Sequence, residues 1–304
     1  MDHVNKAIAE ARAARRAAAP EAPAPQAPVS LLRKAGIARP APPAAPKAEA
    51  APRPASSAVT RDAAWAALPD FRPDPELLEH HRVLTQHSRH EGAPFDVMRT
   101  KLLKQMRDRG WTRLAITSPT PSCGKSTVSA NLAFSFSRQT ETRAILCEMD
   151  FRRPSMARLL GMKRRQSISR VLKERAAFEE HAVRYGDNLL IATNAGPVRN
   201  PAELMHSTSA VSALRRIEET YAPDVMIFDM PPMLVADDTI AFAPHVDAVL
   251  LIAAAEATTA REIDLCEKDL ADRTNVMGVI LNKCSHPGQD YGYGYGYGYE
   301  PSAA

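Results

Sequence analysis

The chain lacks what a membrane-spanning or secreted protein needs. Its longest apolar run, Ala248–Ala255, falls far short of the ~20 residues that cross a bilayer. The first twenty residues carry Glu10, Arg12, Arg15 and Arg16 with no apolar core, which argues against a secretory leader. Only four cysteines are present (Cys123, Cys147, Cys266 and Cys284), without CxxC or metal-like spacing, so neither a disulfide framework nor a zinc site is expected and a reducing cytoplasm is the natural setting. A strong charge bias is missing too. The net charge of +4 is spread over 304 residues and does not mark a nucleic-acid binder; the cluster between Arg152 and Arg175 reads as local. What remains is 45% apolar content, enough for a sizeable core.

Residues 1–19 pattern as a short alanine-rich helix, with Val4, Ile8 and Ala11 at helical spacing. Residues 20–75 hold 13 of the 25 prolines, interleaved with alanine, and read as an extended, flexible linker. A folded domain is expected over 76–288, its regular patterning starting near Pro94 with an apolar stripe of Phe95, Met98, Leu102, Leu103 and Met106. Short β-rich runs then alternate with amphipathic stretches: Arg113–Thr117, Ala144–Glu148, Asn188–Ala192, Asp224–Asp229, Ala248–Ala253 and Val276–Leu281 read as buried strands. Ser126–Ser137, Thr208–Tyr221 and Thr258–Asp272 read as helices between them. Alternation of this kind implies an α/β, doubly wound, mostly parallel sheet that binds ligands at the carboxyl ends of its strands. Residues 289–304 break the pattern: Tyr291, Tyr293, Tyr295, Tyr297 and Tyr299 alternate with glycine in a tail that cannot pack a core.

The segment Thr117–Thr127 follows a strand and opens a helix, as a Walker A loop must. Loop N–H groups and the helix dipole would hold phosphate oxygens, with Lys125 at the terminal phosphates and the Ser126 hydroxyl on Mg²⁺. Ser122, Cys123, Gly124 and Thr127 complete the cradle, although Pro119 stands where the general motif has glycine. Glu148, Asp150 and Asp229 lie at strand ends, where a carboxylate can hold Mg²⁺ or accept a proton from an attacking hydroxyl, or merely cap the next helix.

Together these residues resemble the bacterial tyrosine autokinases of capsule and exopolysaccharide synthesis, a P-loop family with deviant Walker motifs. The resemblance spans about Pro94 to Lys283. It rests on the Walker A segment with Asn131-Leu132-Ala133 after it, on Glu148-Met149-Asp150-Phe151-Arg152-Arg153-Pro154, on Phe228-Asp229-Met230-Pro231-Pro232 as Walker B, and on the tyrosine tail. It implies an enzyme that passes phosphate from ATP, with Mg²⁺, to the five tail tyrosines, mostly between neighbouring subunits. Lys125, Glu148, Asp150 and Asp229 would carry catalysis, with Ser126, Asp150 and Asp229 around the metal. Asn282, at the last strand tip, either reads the adenine edge or is a turn residue. A membrane-embedded chain-length regulator would be the activating partner and the only route to the membrane, with a homo-oligomer of this cytoplasmic chain peripheral to the inner membrane. The chain departs from the family in three places, and from the related positioning ATPases in a fourth. Glu148 replaces an aspartate; Ala93, Asp96 and Arg99 stand where the family's oligomerisation helix has Glu-x-x-Arg-x-x-Arg; Cys123 sits inside the loop, as an oxidisable thiol or an inert filler; and Thr120 replaces the signature lysine of the related positioning ATPases. A nucleotide-switched positioning ATPase and a catalytically weak ATP-binding scaffold are the competing readings.

Overall fold

In the computed structural model, residues 55–86, 91–163 and 166–284 are described; the expected helix at 1–19, most of the linker and the tyrosine tail lie outside them. Seven strands form one sheet: β1 (Arg113–Thr117), β2 (Ala144–Glu148), β3 (Ala182–Tyr185), β4 (Leu189–Ala192), β5 (Val225–Asp229), β6 (Ala248–Ala254) and β7 (Asn275–Asn282). Their spatial order is β3-β4-β2-β5-β1-β6-β7, with every pair parallel except β3 and β4. The expected α/β doubly wound sheet is therefore present. All six expected strands are there, with ends shifted by no more than one residue, but β7, expected to be buried, is an edge strand with Val279 and Leu281 exposed. The seventh, β3, escaped notice because four residues at an antiparallel edge make too short a pattern.

Side-chain alternation along the central strands divides the core in two. Ala115, Ile145, Cys147, Met226, Phe228, Val249 and Leu251 face one layer. Leu114, Ile116, Leu146, Ile227, Leu250 and Ile252 face the other. The first layer is covered by α1 (Ala55–Ala66), α6 (Ile168–Leu172), α7 (Phe178–His181), α8 (Pro201–His206), α9 (Thr208–Tyr221), α10 (Asp238–Phe242) and α11 (Ala260–Ala271); the second by α2 (Pro75–His80), α3 (Ala93–Arg109), α4 (Lys125–Ser137) and α5 (Met156–Leu159). Helix α4 is buried over Val128–Phe136 because it lies between the sheet and α3.

Asp96 and Arg99 help hold that α3–α4 contact. Arg99 Nη1 donates to Asp96 Oδ1 at 3.0 Å and to the Ser135 carbonyl at 2.8 Å, while Asp96 accepts from Ser135 Oγ at 2.6 Å and from Arg138. Asp96 and Arg99, two of the three residues set against the expected oligomerisation pattern, thus have partners within the chain.

The linker reading needs correction at its C-terminal end. Order begins well before residue 75: Trp65 and Leu68 are buried in the first core layer, and Trp65 Nε1 donates to the Tyr221 carbonyl at 2.8 Å. Phe71 N–H donates to the Arg184 carbonyl at 2.7 Å and Arg184 N–H to the Pro69 carbonyl at 2.8 Å, so this segment covers the outer edge of β3. A large indole and one leucine are enough to anchor a stretch whose composition otherwise reads as unfolded.

Candidate functional site

The carboxyl ends of β1, β2 and β5 meet side by side, Ile116 in register with Asp229 and Asp229 with Glu148. The loop after β1 turns back over them. Ser122 (φ +65°) and Gly124 (φ +91°) are left-handed, which turns successive N–H groups inward as an anion-binding concavity. Gly124 also has no room for a side chain: a Cβ there would stand 2.3 Å from Asn282 Nδ2. Asn282 Nδ2 donates to the Cys123 carbonyl at 2.9 Å, so this amide braces the loop from β7. Cys123 is buried, its Sγ donating to the Thr120 carbonyl at 3.2 Å and lying 3.6 Å from Thr258 Oγ1. Burial works to raise its pKa, but the hydrogen bonds from Thr258 and Thr120 outweigh it and bring the thiol below its ordinary value.

Beside the loop opens a cavity of about 540 Å³ whose wall includes Ser122, Gly124, Lys125, Ser126, Thr127 and Asp150, joined by Arg152, Arg153, Arg158 and His81. Lys125 Nζ donates to Asp150 Oδ2 at 2.8 Å, and both groups are largely buried. Burial would lower the lysine pKa, but the charges of Asp229, Asp150 and Glu148 prevail and hold it above its ordinary value, so it stays an ammonium. Asp150 Oδ1 accepts the Arg153 N–H at 3.0 Å. Arg152 is drawn aside by Asp238, with contacts of 2.6 and 3.0 Å, whereas Arg153 and Arg158 form no ion pair among the described residues.

Asp229 lies behind the cavity with no exposed surface. Ser129 Oγ donates to its Oδ1 at 3.1 Å, while Oδ2 has no hydrogen-bond partner. Burial raises its pKa against the opposing pull of Lys125, Ser126 and Ser129. An orphaned, fully buried carboxylate oxygen next to a P-loop serine fits a hard divalent cation, which takes oxygen ligands.

Glu148 departs from the expected catalytic placement. It does not line the cavity: Oε1 accepts the N–H groups of Ser155 (2.5 Å) and Met156 (2.7 Å), and Oε2 accepts that of Asn194 (2.8 Å). Burial pushes its pKa up to about 7 in spite of those three donors. The carboxylate is an internal strut that shapes the arginine loop after β2. Its carboxylate turns under the loop, which strand patterning could not show. His81 was missed as well, and no motif signals it.

The family model for ParA, described as NUBPL iron-transfer P-loop NTPase, matches residues 112–293, more than half of the chain. This chain belongs to the ParA family of P-loop NTPases. The P-loop fold in general binds nucleotide and Mg²⁺, in keeping with the cradle around Lys125 and the free oxygen of Asp229. Among relatives of this P-loop NTPase, EpsB of Ralstonia solanacearum is 32% identical over 64% of this chain and 26% of its own length. The tyrosine-protein kinase YwqD of Bacillus subtilis is 28% identical over 62% of this chain and 79% of its own. The kinase domain of the Escherichia coli tyrosine kinase ETK superposes with a TM-score of 0.57 at 26% identity, over 67% of this chain and 80% of that domain. The chain spans about a quarter of the length of the first curated relatives it matches. No described helix is long and apolar enough to cross a membrane.

Proposed function

We propose that this P-loop NTPase is an ATP-dependent protein-tyrosine autokinase whose acceptors are Tyr291, Tyr293, Tyr295, Tyr297 and Tyr299. The observation that carries the reading is the pairing of a protonated Lys125 with Asp150 in a cavity walled by further cations, in a chain whose sequence also carries five closely spaced tyrosines. Lys125 would exchange Asp150 for the terminal phosphates of ATP and neutralise charge on the transferring group. Gly124 and its neighbours present N–H groups to the phosphates. Ser126, Asp229 and Asp150 would hold Mg²⁺, which when bound screens the phosphate charge. Glu148 acts from behind by fixing the loop that carries Asp150 and Arg153. Asn282 remains the proposed contact for the base, with its Oδ1 free to accept while Nδ2 braces the loop.

In this reading the chain works in the cytoplasm as a homo-oligomer, reaches the inner membrane only through a membrane-embedded chain-length regulator, and through it regulates exopolysaccharide or capsule polymerisation and export. Thr120, in place of the signature lysine of positioning ATPases, favours the kinase over that alternative. The test is phosphotyrosine formation by the full chain with Mg-ATP, alongside Lys125→Met and a variant with all five tail tyrosines changed to Phe. Wild type should label; Lys125→Met should lose at least about 100-fold, the scale of removing a preorganised electrostatic group, and the five-Phe variant should lose the signal because it has no tail hydroxyl to accept phosphate. Hydrolysis of ATP without phosphotyrosine would overturn the kinase reading and favour the switch.

A further inference from the structure

Apart from the catalytic cavity, a second hollow of about 430 Å³ lies between the end of α6 and the starts of α8 and α9. Its wall carries Lys173, Arg175 and Arg199, the hydroxyls of Ser207 and Ser209, and a single acid, Glu203. Nearby carboxylates are turned away from these cations. Glu174 stands between the first two and is left-handed (φ +55°) in the turn that ends α6, where the Arg175 N–H donates to the Arg170 carbonyl at 2.9 Å. Its carboxylate pairs with Arg216 on α9 at 2.8 Å, and that of Glu203 accepts Asn200 Nδ2 at 3.0 Å. Lys173, Arg175 and Arg199 form no ion pair among the described residues. Three such cations with two hydroxyls around one hollow suit a phosphate monoester, whose oxygens accept from several charged donors at once.

The hollow is tied to the catalytic cavity through the backbone. The Val198 N–H, next to Arg199, donates to the Phe151 carbonyl at 2.9 Å, and Phe151 stands between Asp150 and Arg152 of the cavity wall. A phosphate monoester is also what the proposed reaction makes on this chain. Residues 284–304 contain no lysine or arginine to offset added charge, and Asp290 and Glu300 flank the tyrosines. The tail has the reach to arrive there. β7 stands five strand spacings from β4, about 24 Å, whereas the chain from Lys283 to Tyr295 can extend to about 40 Å.

We propose that this hollow is a phosphotyrosine site that takes the chain's own tail once the tail has been modified, holding the product away from the catalytic cavity. The inference rests on the autokinase reading for its ligand and deepens it by giving the product a place. Lys173, Arg175 and Arg199 would share the phosphate oxygens, with Ser207 and Ser209 adding hydroxyl donors. An unmodified tyrosine offers none of that charge and stays free to enter an active site.

The test measures binding of a fluorescent peptide of residues 289–304, phosphorylated at Tyr295, to the full chain with Phe at its five tail tyrosines, so that no modified tail of its own competes. The phosphopeptide should bind at least about 10-fold tighter than the unmodified peptide, the scale of hydrogen bonds to a charged group, and excess Mg-ADP should leave it in place. Lys173→Gln, Arg175→Gln and Arg199→Gln combined should weaken it at least about 10-fold, with ADP affinity unchanged as the check on folding. Glu203→Gln, which removes the acid of the wall, should tighten it. A chain with its natural tail, once phosphorylated by Mg-ATP, should bind the peptide at least about 10-fold more weakly, because its own tail fills the hollow. Equal binding of the two peptides, full affinity in the triple variant, or displacement by Mg-ADP would overturn the site. Inorganic phosphate competing as well as the phosphopeptide would assign the hollow to free phosphate and overturn its ligand. Undiminished peptide binding by a chain shown to carry phosphotyrosine would overturn the tail as occupant. A natural chain that makes no phosphotyrosine would overturn the autokinase reading, an outcome distinct from peptide binding to the five-Phe chain.

Discussion

Among single residues, Glu148 separates what a motif suggests from what a side chain does. A carboxyl at this strand end was expected beside the substrate, yet its oxygens are spent on Ser155, Met156 and Asn194. Replacing it with Gln puts an NH₂ group against at least one of those N–H donors, leaving a buried donor unsatisfied at a cost of about 1–3 kcal/mol. The pH dependence adds a second signature. Burial raises its pKa from an ordinary 4.5 to about 7, so the folded protein holds this proton more tightly than the unfolded chain. The contribution to stability is fully present below pH 4.5 and is lost as pH climbs through about 7. Urea midpoints measured from pH 4 to pH 8 should therefore show wild type losing stability relative to Glu148→Gln across that window, with a constant difference above it. A difference that does not change with pH would mean the carboxyl ionises in the fold as easily as in water.

The arm over residues 61–86 is the element that links packing to chemistry. Trp65 anchors one end, and its truncation to Ala should cost about 3–5 kcal/mol, read as a lower urea midpoint with unchanged slope. Asn131 secures the other end. Asn131→Ala strands the buried Thr85 N–H and the Leu84 N–H, so stability should fall by about 2 kcal/mol or more, and amide exchange should quicken at Leu84 and Thr85 before it does in the sheet. Equal protection at those amides in wild type and variant would show that the clamp does not hold the arm. Little of this was legible beforehand. Most of the sheet could be read because its central strands are runs of buried apolar residues bounded by turns, and the P-loop because its glycine and lysine sit between strand and helix. The arm is built from alanine, proline and single anchors, whose effect depends on a receiving surface made by α9 and α4, far away in sequence. The turn of Glu148 under its loop and the meeting of His81 with the cavity likewise depend on contacts across the fold, which no local pattern encodes.

Across the whole molecule, charge ties the tail to assembly. The chain carries 39 basic and 35 acidic side chains, a net +4. Each phosphotyrosine adds about −1.5 to −2, so five would add about −7.5 to −10 and reverse the sign of the net charge. Copies held together when unmodified would then carry a dense block of like charge within nine residues of each chain, Tyr291 to Tyr299. Repulsion between such blocks reaches about 10 Å at 0.1 M salt and about 3 Å at 1 M. Sedimentation of the full chain should therefore show the unmodified protein as an oligomer and the fully phosphorylated protein shifted toward monomer at 0.1 M salt, with much of that shift undone at 1 M. The variant with five phenylalanines should remain assembled after incubation with Mg-ATP. An unmodified chain that sediments as a monomer would remove the oligomer from the proposal. Dissociation that is indifferent to salt would point instead to steric release of a tail from its neighbour.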